Sequence, residues 1–431
     1  MSVLKSGTDF AKQIEMQSAA MEEPGYLVAL RAKAAEHYEQ LPVPWYEKSN
    51  LAQRKLDAYT VAALVSDRQE WKTIAEPFMS DDALTSPLLV LADGELVFSQ
   101  GIESLSAQGA IFTTLREAAT TYSDIVEKHL YSVVPQDENQ MIALHGALWR
   151  NGTFIYLPRH VVIDHPLQMI SVTTSGGHGT FIHNLIVAEA GSQVEFVDIY
   201  VANQDIADEL QVGVTEVVVQ DGARVKIGTL EDFPRNSTNV LVRRAKVYRD
   251  AQMDWVTGEV SEGYTVAEFG SLLEGQGSRS TSHAIALGAK QAHFDLTSKM
   301  VHIAKFSDSD TTARGVMQDS AEAIYRGLTH ILKGASGSNG QQSEKLLMLS
   351  RESHANAIPM LLIDENDVKC GHAASVGQIN EEQLFYLMSR GISETDAKRM
   401  VVWGFIDPVL AKLPIDMVRK AVETVLERKM A

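Results

Sequence analysis

The period of the apolar positions changes twice along the chain. Between Tyr26 and Gln40, Leu27, Leu30, Ala34 and Tyr38 recur at helical spacing, with Arg31, Lys33, Glu36 and Glu39 largely elsewhere. The spacing predicts helix through this region and on to about Glu70. Leu41-Pro42-Val43-Pro44-Trp45-Tyr46 interrupts it, because proline cannot continue a helix and forces its predecessor to extend. That segment reads as a connector packed onto a core rather than a docking peptide. From about Ser86 the period falls to two. Short strands are expected at Leu88-Leu89-Val90-Leu91, Thr153-Phe154-Ile155-Tyr156 and Val194-Glu195-Phe196-Val197-Asp198-Ile199, with no comparably clear amphipathic helix before the final stretch.

Within this region a frame recurs: a turn residue, two variable positions, then apolar, polar, apolar. It begins at Gly191, Gly222, Asp250 and Ala289, at intervals of 31, 28 and 39 residues. A turn followed by a strand at such intervals predicts stacked β coils, since one coil alone cannot bury its apolar face and stacked neighbours can. A plain β-sandwich would also give many short strands, but strands sustained over so long a region favour the solenoid.

Helical signals return at the end. Asn380 caps a helix over Glu381 to Met388, with Gln383 at the capping-box position, and Gly391 ends it. Ser393 and Asp396 open a second helix carrying Met400, Val401, Trp403 and Phe405, with Pro408 placed just past its end. A third follows Pro414 through Met417, Val418, Val422 and Val425. The expected organisation is a helical segment over 1–85, a β core over 86–378 and a helical segment over 379–431, the last serving as an end cap or a docking module.

Composition narrows the function classes. Lys+Arg 38 against Asp+Glu 56 gives a net charge of −18, which argues against non-specific nucleic-acid or anionic-membrane binding, since both need a basic face. A single cysteine excludes an internal disulfide. The first residues carry no apolar signal core and no run reaches a membrane span, so a cytoplasmic address is expected. A phosphate-binding loop, a nucleophile elbow and a His-Glu-x-x-His helix are missing. Gly275-Gln276-Gly277 lacks the third glycine of a dinucleotide fingerprint, and the run from Asp308 to Ala313 lacks the central glycine of a calcium loop. His160 with His165, and His178 with His183, are too loosely spaced to signal a metal site, and most of the 13 histidines read as structural or surface residues.

The chemistry concentrates at Cys370 and His372. Residues two apart in a strand face the same side, so thiol and imidazole would stand together, a soft and a borderline ligand that suit iron or zinc. A small buried thiol beside a satisfied histidine explains the same residues equally simply.

Asp367-Val368-Lys369-Cys370-Gly371-His372-Ala373-Ala374-Ser375-Val376-Gly377, followed by Glu382-Gln383-Leu384-Phe385-Tyr386-Leu387-Met388-Ser389-Arg390-Gly391-Ile392, resembles the SufB/SufD family of iron–sulfur cluster assembly scaffolds. The resemblance extends over essentially the whole chain, Leu41-Pro42-Val43-Pro44-Trp45 included. It implies a right-handed parallel β-helix between helical domains, with no enzyme activity of its own. It also implies pairing with a SufB-like subunit through the β-helix and docking of a SufC-like ATPase on the C-terminal helices. Phe385, Tyr386, Arg390, Trp403 and Phe405 are the docking candidates, because aromatics and arginine anchor interfaces. SufB-type chains carry Glu-His-Glu-Ala where this one has Cys370-Gly371-His372-Ala373. They also have a cysteine where this chain has Ser353, and some have an N-terminal cysteine cluster. All three differences favour the SufD branch. The resemblance further implies that a transient iron–sulfur cluster, shared with SufB, forms where His372 faces the partner, with Cys370 a weaker candidate ligand. It leaves open a flavin and a homodimer of the isolated chain. The rival readings are a structural docking platform with an inert Cys-x-His pair, and a carbohydrate-active β-helix enzyme. The latter needs a carboxylate cluster on one solenoid face, and none is evident in the sequence.

Overall fold

The structure is a computed structural model that describes residues 10–54, 56, 60–61, 70–79, 86–206, 208–411, 419 and 422–423. The chain is mainly β, and its core is a solenoid of two long sheets facing each other across a common interior. One sheet runs from Ile111–Thr114 through Thr153–Leu157 and His178–Ala188 to Glu322–Ile331 and His354–Ile363. The other runs from the Leu88–Ala92/Glu95–Gln100 hairpin through Leu167–Thr173 and Gln193–Ala202 to Asn339–Met348 and Lys369–Gln378. From Leu167 onward successive strands alternate between the sheets, and neighbours within a sheet are parallel and in register.

The recurring frame corresponds to these coils. Strands of the second sheet begin at Gln193, Arg224, Gln252, Arg279, Asp308, Asn339 and Lys369. Two residues before the first six of these, Gly191, Gly222, Asp250, Gly277, Phe306 and Gly337 hold φ between 55° and 77°. Such left-handed backbone is easy for glycine, tolerable for aspartate and strained for Phe306. The frame starting at Ala289 belongs instead to the opposite sheet, where it leads into His293–His302. The true next coil, at Gly277, escaped the pattern because its inward residues are Ser280 and Ser282, which are buried yet polar.

Two further expectations are corrected. Helix does not continue to Glu70: Gly25–Gln40 ends at the prolines, a single turn forms at Leu51–Gln53, and Thr60–Val61 pairs with His178 and Gly179. After Ser86 only short helices interrupt the strands, at Glu103–Ser106, Leu115–Thr121, Ser123–His129 and Gln140–Leu148. Every residue from Met141 to Leu148 is buried, so that helix has no polar face to give a 3.6-residue rhythm. Pro408 lies inside the Glu394–Leu410 helix; the carbonyl it leaves free belongs to solvent-exposed Gly404. The expected third tail helix lies outside the described residues except for Arg419, Val422 and Glu423.

The connector at Leu41 to Tyr46 packs through Leu41, Val43 and Tyr46, while Trp45 stands 81% exposed. Just beyond it, Ser49 donates to Asp295 Oδ2 at 2.6 Å and sits 2.8 Å from His293 Nε2, pinning the N-terminal segment to the first sheet. The longer described tail helix, Glu394–Leu410, lies on the solenoid's flank and not over its end. Val402, Ile406, Val409 and Leu410 pack on the flank of the second sheet against a cluster containing Ile285, Leu287, Val316 and Leu347. Each such side chain contributes about 1.5–3 kcal/mol by burial, so this helix is firmly held.

The interior of the first coils is largely apolar around one buried polar cluster, in which Asn184 donates to Asp198 and Tyr200. Arg243 reaches across from Ser237–Val247 to Glu231 on Arg224–Asp232, with Asp198 and Glu259 nearby, all buried. Burial, partly offset by Arg243, pushes Asp198 up to about 7, and burial raises Glu259 as well. The native fold therefore holds protons that an unfolded chain, with carboxylates near 4, has already released. Stability should fall as pH rises from 4 through 8. The thermal midpoint should be lower at pH 8.5 than at pH 6, and Asp198→Asn should flatten part of that slope. A midpoint that rose over the same interval would contradict this origin.

The uncovered final coil as candidate functional site

The ladder register places Cys370 and His372 directly. His372 ends an inward column that runs Phe196, Ile227, Trp255, Ser282, Thr311, Gln342, His372 from coil to coil. Cys370 ends the neighbouring column: Val194, Val225, Met253, Ser280, Ser309, Gly340, Cys370. Both residues thus occupy core positions. The columns change from large apolar to polar side chains, and both end at the last coil. Among the described residues no further strand pairs above that coil, which leaves ten-residue edges at His354–Ile363 and Lys369–Gln378. Positions that would be core elsewhere are exposed here, His372 among them, while Cys370 is half-buried.

The edge has its own composition. Pro359 sits in the terminal strand of the first sheet, where a missing ladder donor is tolerated. Leu362, Ile363 and Val376 are large, apolar and exposed. Ser353 is buried just ahead of His354–Ile363, and its hydroxyl donates to the Ser350 carbonyl at 2.8 Å. Burial raises the Cys370 thiol, with the Gly371 N–H working the other way, so the thiolate is disfavoured before anything binds. Among the described residues no three His, Cys, Asp or Glu side chains gather to hold a metal ion. This end can supply one or two ligands, not a complete cage.

The tail candidates separate into two groups. Asn380 accepts from the Glu382 and Gln383 N–H groups, and Ser393 from Asp396, as the capping pattern predicts. Phe385 is 73% and Tyr386 55% exposed on the first tail helix, and the Arg390 guanidinium lies 5.1 Å from the Tyr386 ring centre. Trp403 and Phe405 face the other way and pack against the flank of the second sheet, with Arg314 over the Phe405 ring at 5.2 Å. A groove between Met348, Ile379, Leu384, Phe385 and Met388 opens beside the final coil.

Sequence reasoning passed over Glu344, which lies in the interior beneath Ala374. A polar residue alternating with apolar ones in a strand looks solvent-facing, and only the pairing register turns it inward. His183 is structural, as the sequence reading has it. The structure buries His183 at 3.1 Å from Glu216, whose carboxylate accepts from the Tyr131, Val133 and Val134 N–H groups, a structural use.

The site is thus the last coil of a parallel β solenoid, uncovered among the described residues, with Cys370 and His372 at its lumenal positions. Comparison with known proteins gives the family. Residues 8–169 match the SufBD protein N-terminal region, and residues 171–405 match the SufBD core domain of the SUF system for FeS cluster assembly. The Bacillus subtilis iron–sulfur cluster assembly protein SufD is 35% identical over 95% of both chains. SufB of the same organism is 30% identical over 96% of this chain and 92% of its own length. A SufBD family protein of Staphylococcus saprophyticus is 29% identical over the same shares. The chain belongs to the SufBD family of iron–sulfur cluster assembly proteins.

Because Cys370 is the only cysteine, its reactivity can be read cleanly. It should be alkylated by iodoacetamide more slowly than glutathione at pH 7.5, with the rate still climbing above pH 9. Alkylation faster than glutathione at pH 7.5 would mean an activated thiolate, against the effect of burial.

Proposed function

We propose that this chain is the SufD-type scaffold subunit of a cytoplasmic SufB–SufC–SufD complex and performs no catalysis of its own. A SufB-like subunit covers the open coil, and the nascent iron–sulfur cluster forms as cargo between the two chains. His372 offers an imidazole to that cluster, and Cys370 stands beside it as a secondary ligand. The single observation that carries this reading is the uncovered final coil with His372 exposed in its lumenal column. Cys370-Gly371-His372-Ala373 and the lone cysteine favour the SufD role over the SufB role. In this reading the solenoid is a right-handed β-helix over 86–378, with helical flanks over 1–85 and 379–431. The C-terminal flank docks the SufC-like ATPase: Phe385, Tyr386 and Arg390 form the contact face, and Trp403 and Phe405 brace the helix that presents it. A docking platform with no ligation is the second reading, favoured only by the half-buried thiol.

Two measurements test the proposal. Co-purified with SufB and SufC chains, His372→Ala should assemble the complex in normal amount but lose most bound iron and sulfide. Its own stability should change by no more than about 0.5 kcal/mol, as for other exposed positions. Full iron and sulfide loading would overturn the ligand role and leave the platform. Separately, replacing Phe385 and Tyr386 with alanine should weaken ATPase binding by about 2 kcal/mol or more with an unchanged circular dichroism spectrum. Undiminished affinity would remove the docking assignment.

A further inference from the structure

One coil beneath the open end, the interior holds a carboxylate with no positive charge to answer it. Glu344 lies on Asn339–Met348, under Ala374 in the ladder and two positions along from Gln342, which lies under His372. It is 0% exposed, and neither of its carboxylate oxygens has a hydrogen-bond partner. A β-carbon added to Gly327 of the facing sheet would stand 2.1 Å from Glu344 Oε1 and 2.9 Å from Gln342 Oε1. The two side chains therefore lean over the same bare stretch of backbone. Gln342 Nε2 donates to Thr329 Oγ1 at 2.6 Å, leaving its Oε1 unpartnered. Turning that amide over would give Glu344 one neutral donor and still no cation.

The groups packed around it do not supply one. The register brings Thr311 and Ala313 from the coil below, Tyr325, Gly327 and Thr329 from the facing strand, Ala357 and Pro359 from its neighbour, and His372 and Ala374 from above. Burial pushes Glu344 up to about 7, and its charge in turn helps to raise Tyr325. An unpaired buried carboxylate is expensive and is ordinarily neutralised, paired or bound to a metal. Small side chains lie on the path to it: Ala374 covers Glu344 and Ala357 covers Tyr325.

We propose that Glu344 and Gln342 form an inner holding site for a divalent metal ion, one coil beneath His372 and reached through the uncovered end. A carboxylate and an amide carbonyl are oxygen donors of the kind that bind Mg²⁺, Mn²⁺ or Fe²⁺, with water completing the coordination. The absent Cβ of Gly327 is what lets Glu344 Oε1 and Gln342 Oε1 come together over that backbone. That the natural ion is ferrous rests on the cluster-assembly role; the binding itself does not.

The test uses the full-length, metal-free chain under anaerobic conditions, titrated with Co²⁺ and followed by calorimetry and visible absorption. One Co²⁺ per chain is expected. Glu344→Gln, nearly isosteric, should weaken binding by about tenfold or more, as loss of a charged ligand does. Gly327→Ala, which places a methyl where the carboxylate now lies, should do the same, and circular dichroism checks that both variants fold. Absence of Co²⁺ binding by the wild-type chain, or wild-type affinity in both variants, would overturn the site and leave Glu344 a protonated buried acid. Failure here with iron lost in the His372→Ala complex would leave the cluster-assembly reading standing. Glu344-dependent Co²⁺ binding beside a fully loaded His372→Ala complex would reject the ligand role of His372 and keep the inner site.

Discussion

In-register parallel stacking governs this molecule, because every coil satisfies its backbone through the coils on either side. A parallel strand has a donor and acceptor row on each edge, and a solenoid interior is buried only where another coil covers it. The first coils meet this demand within the chain. The Leu88–Ala92/Glu95–Gln100 hairpin and the antiparallel Ile111–Thr114/Thr153–Leu157 pair close one end, and the helices packed on Phe154, Phe181 and Leu185 cover that flank. The last coil does not. Two ten-residue edges are left unpaired there, an arrangement that soluble proteins usually block with charges, bulges or a covering element. The two described tail helices lie on the flank, so among the described residues nothing covers that end.

The interior changes character along the same axis. Phe196, Ile227 and Trp255 fill one column early; Ser282, Thr311, Gln342 and His372 continue it. Hydroxyls and amides in a buried column need partners inside the lumen, and pairs such as Ser271 with Ser280 and Thr329 with Gln342 provide them. A polar lumen stabilises less per residue than an aliphatic one, so its persistence toward the open end matches a functional use of that end. The early coils spend their polarity differently, on the Arg243–Glu231 pair that ties the two sheets together. Removing either partner of such a pair would strand a buried charge.

The outer faces divide the remaining work. One flank carries the N-terminal helices and the Ser49 pin; the other carries Val402, Ile406, Val409 and Leu410. Because Trp403 and Phe405 are used in that packing, the exposed aromatic surface of the tail falls to Phe385 and Tyr386.

Local chemistry was legible in the sequence. The caps at Asn380 and Ser393, the break at Pro42, the left-handed turns at Gly191 and Gly222 and the shared face of Cys370 and His372 each depend on residues a few positions apart, where sterics and hydrogen bonding act without help from the fold. The family likeness, too, rested on contiguous runs around Cys370 and Phe385. What the sequence could not carry is anything set by register between strands some thirty residues apart. Inward serines at Ser280 and Ser282 look like surface, and the all-buried Met141–Leu148 helix has no rhythm to reveal it. Glu344 alternates like an exposed residue, and the frame at Ala289 matches its neighbours while lying in the other sheet. Pairing between coils decides which of two faces a strand buries, and stacking decides which coil is last. Those two outcomes of tertiary structure place His372 in a core column and leave it exposed.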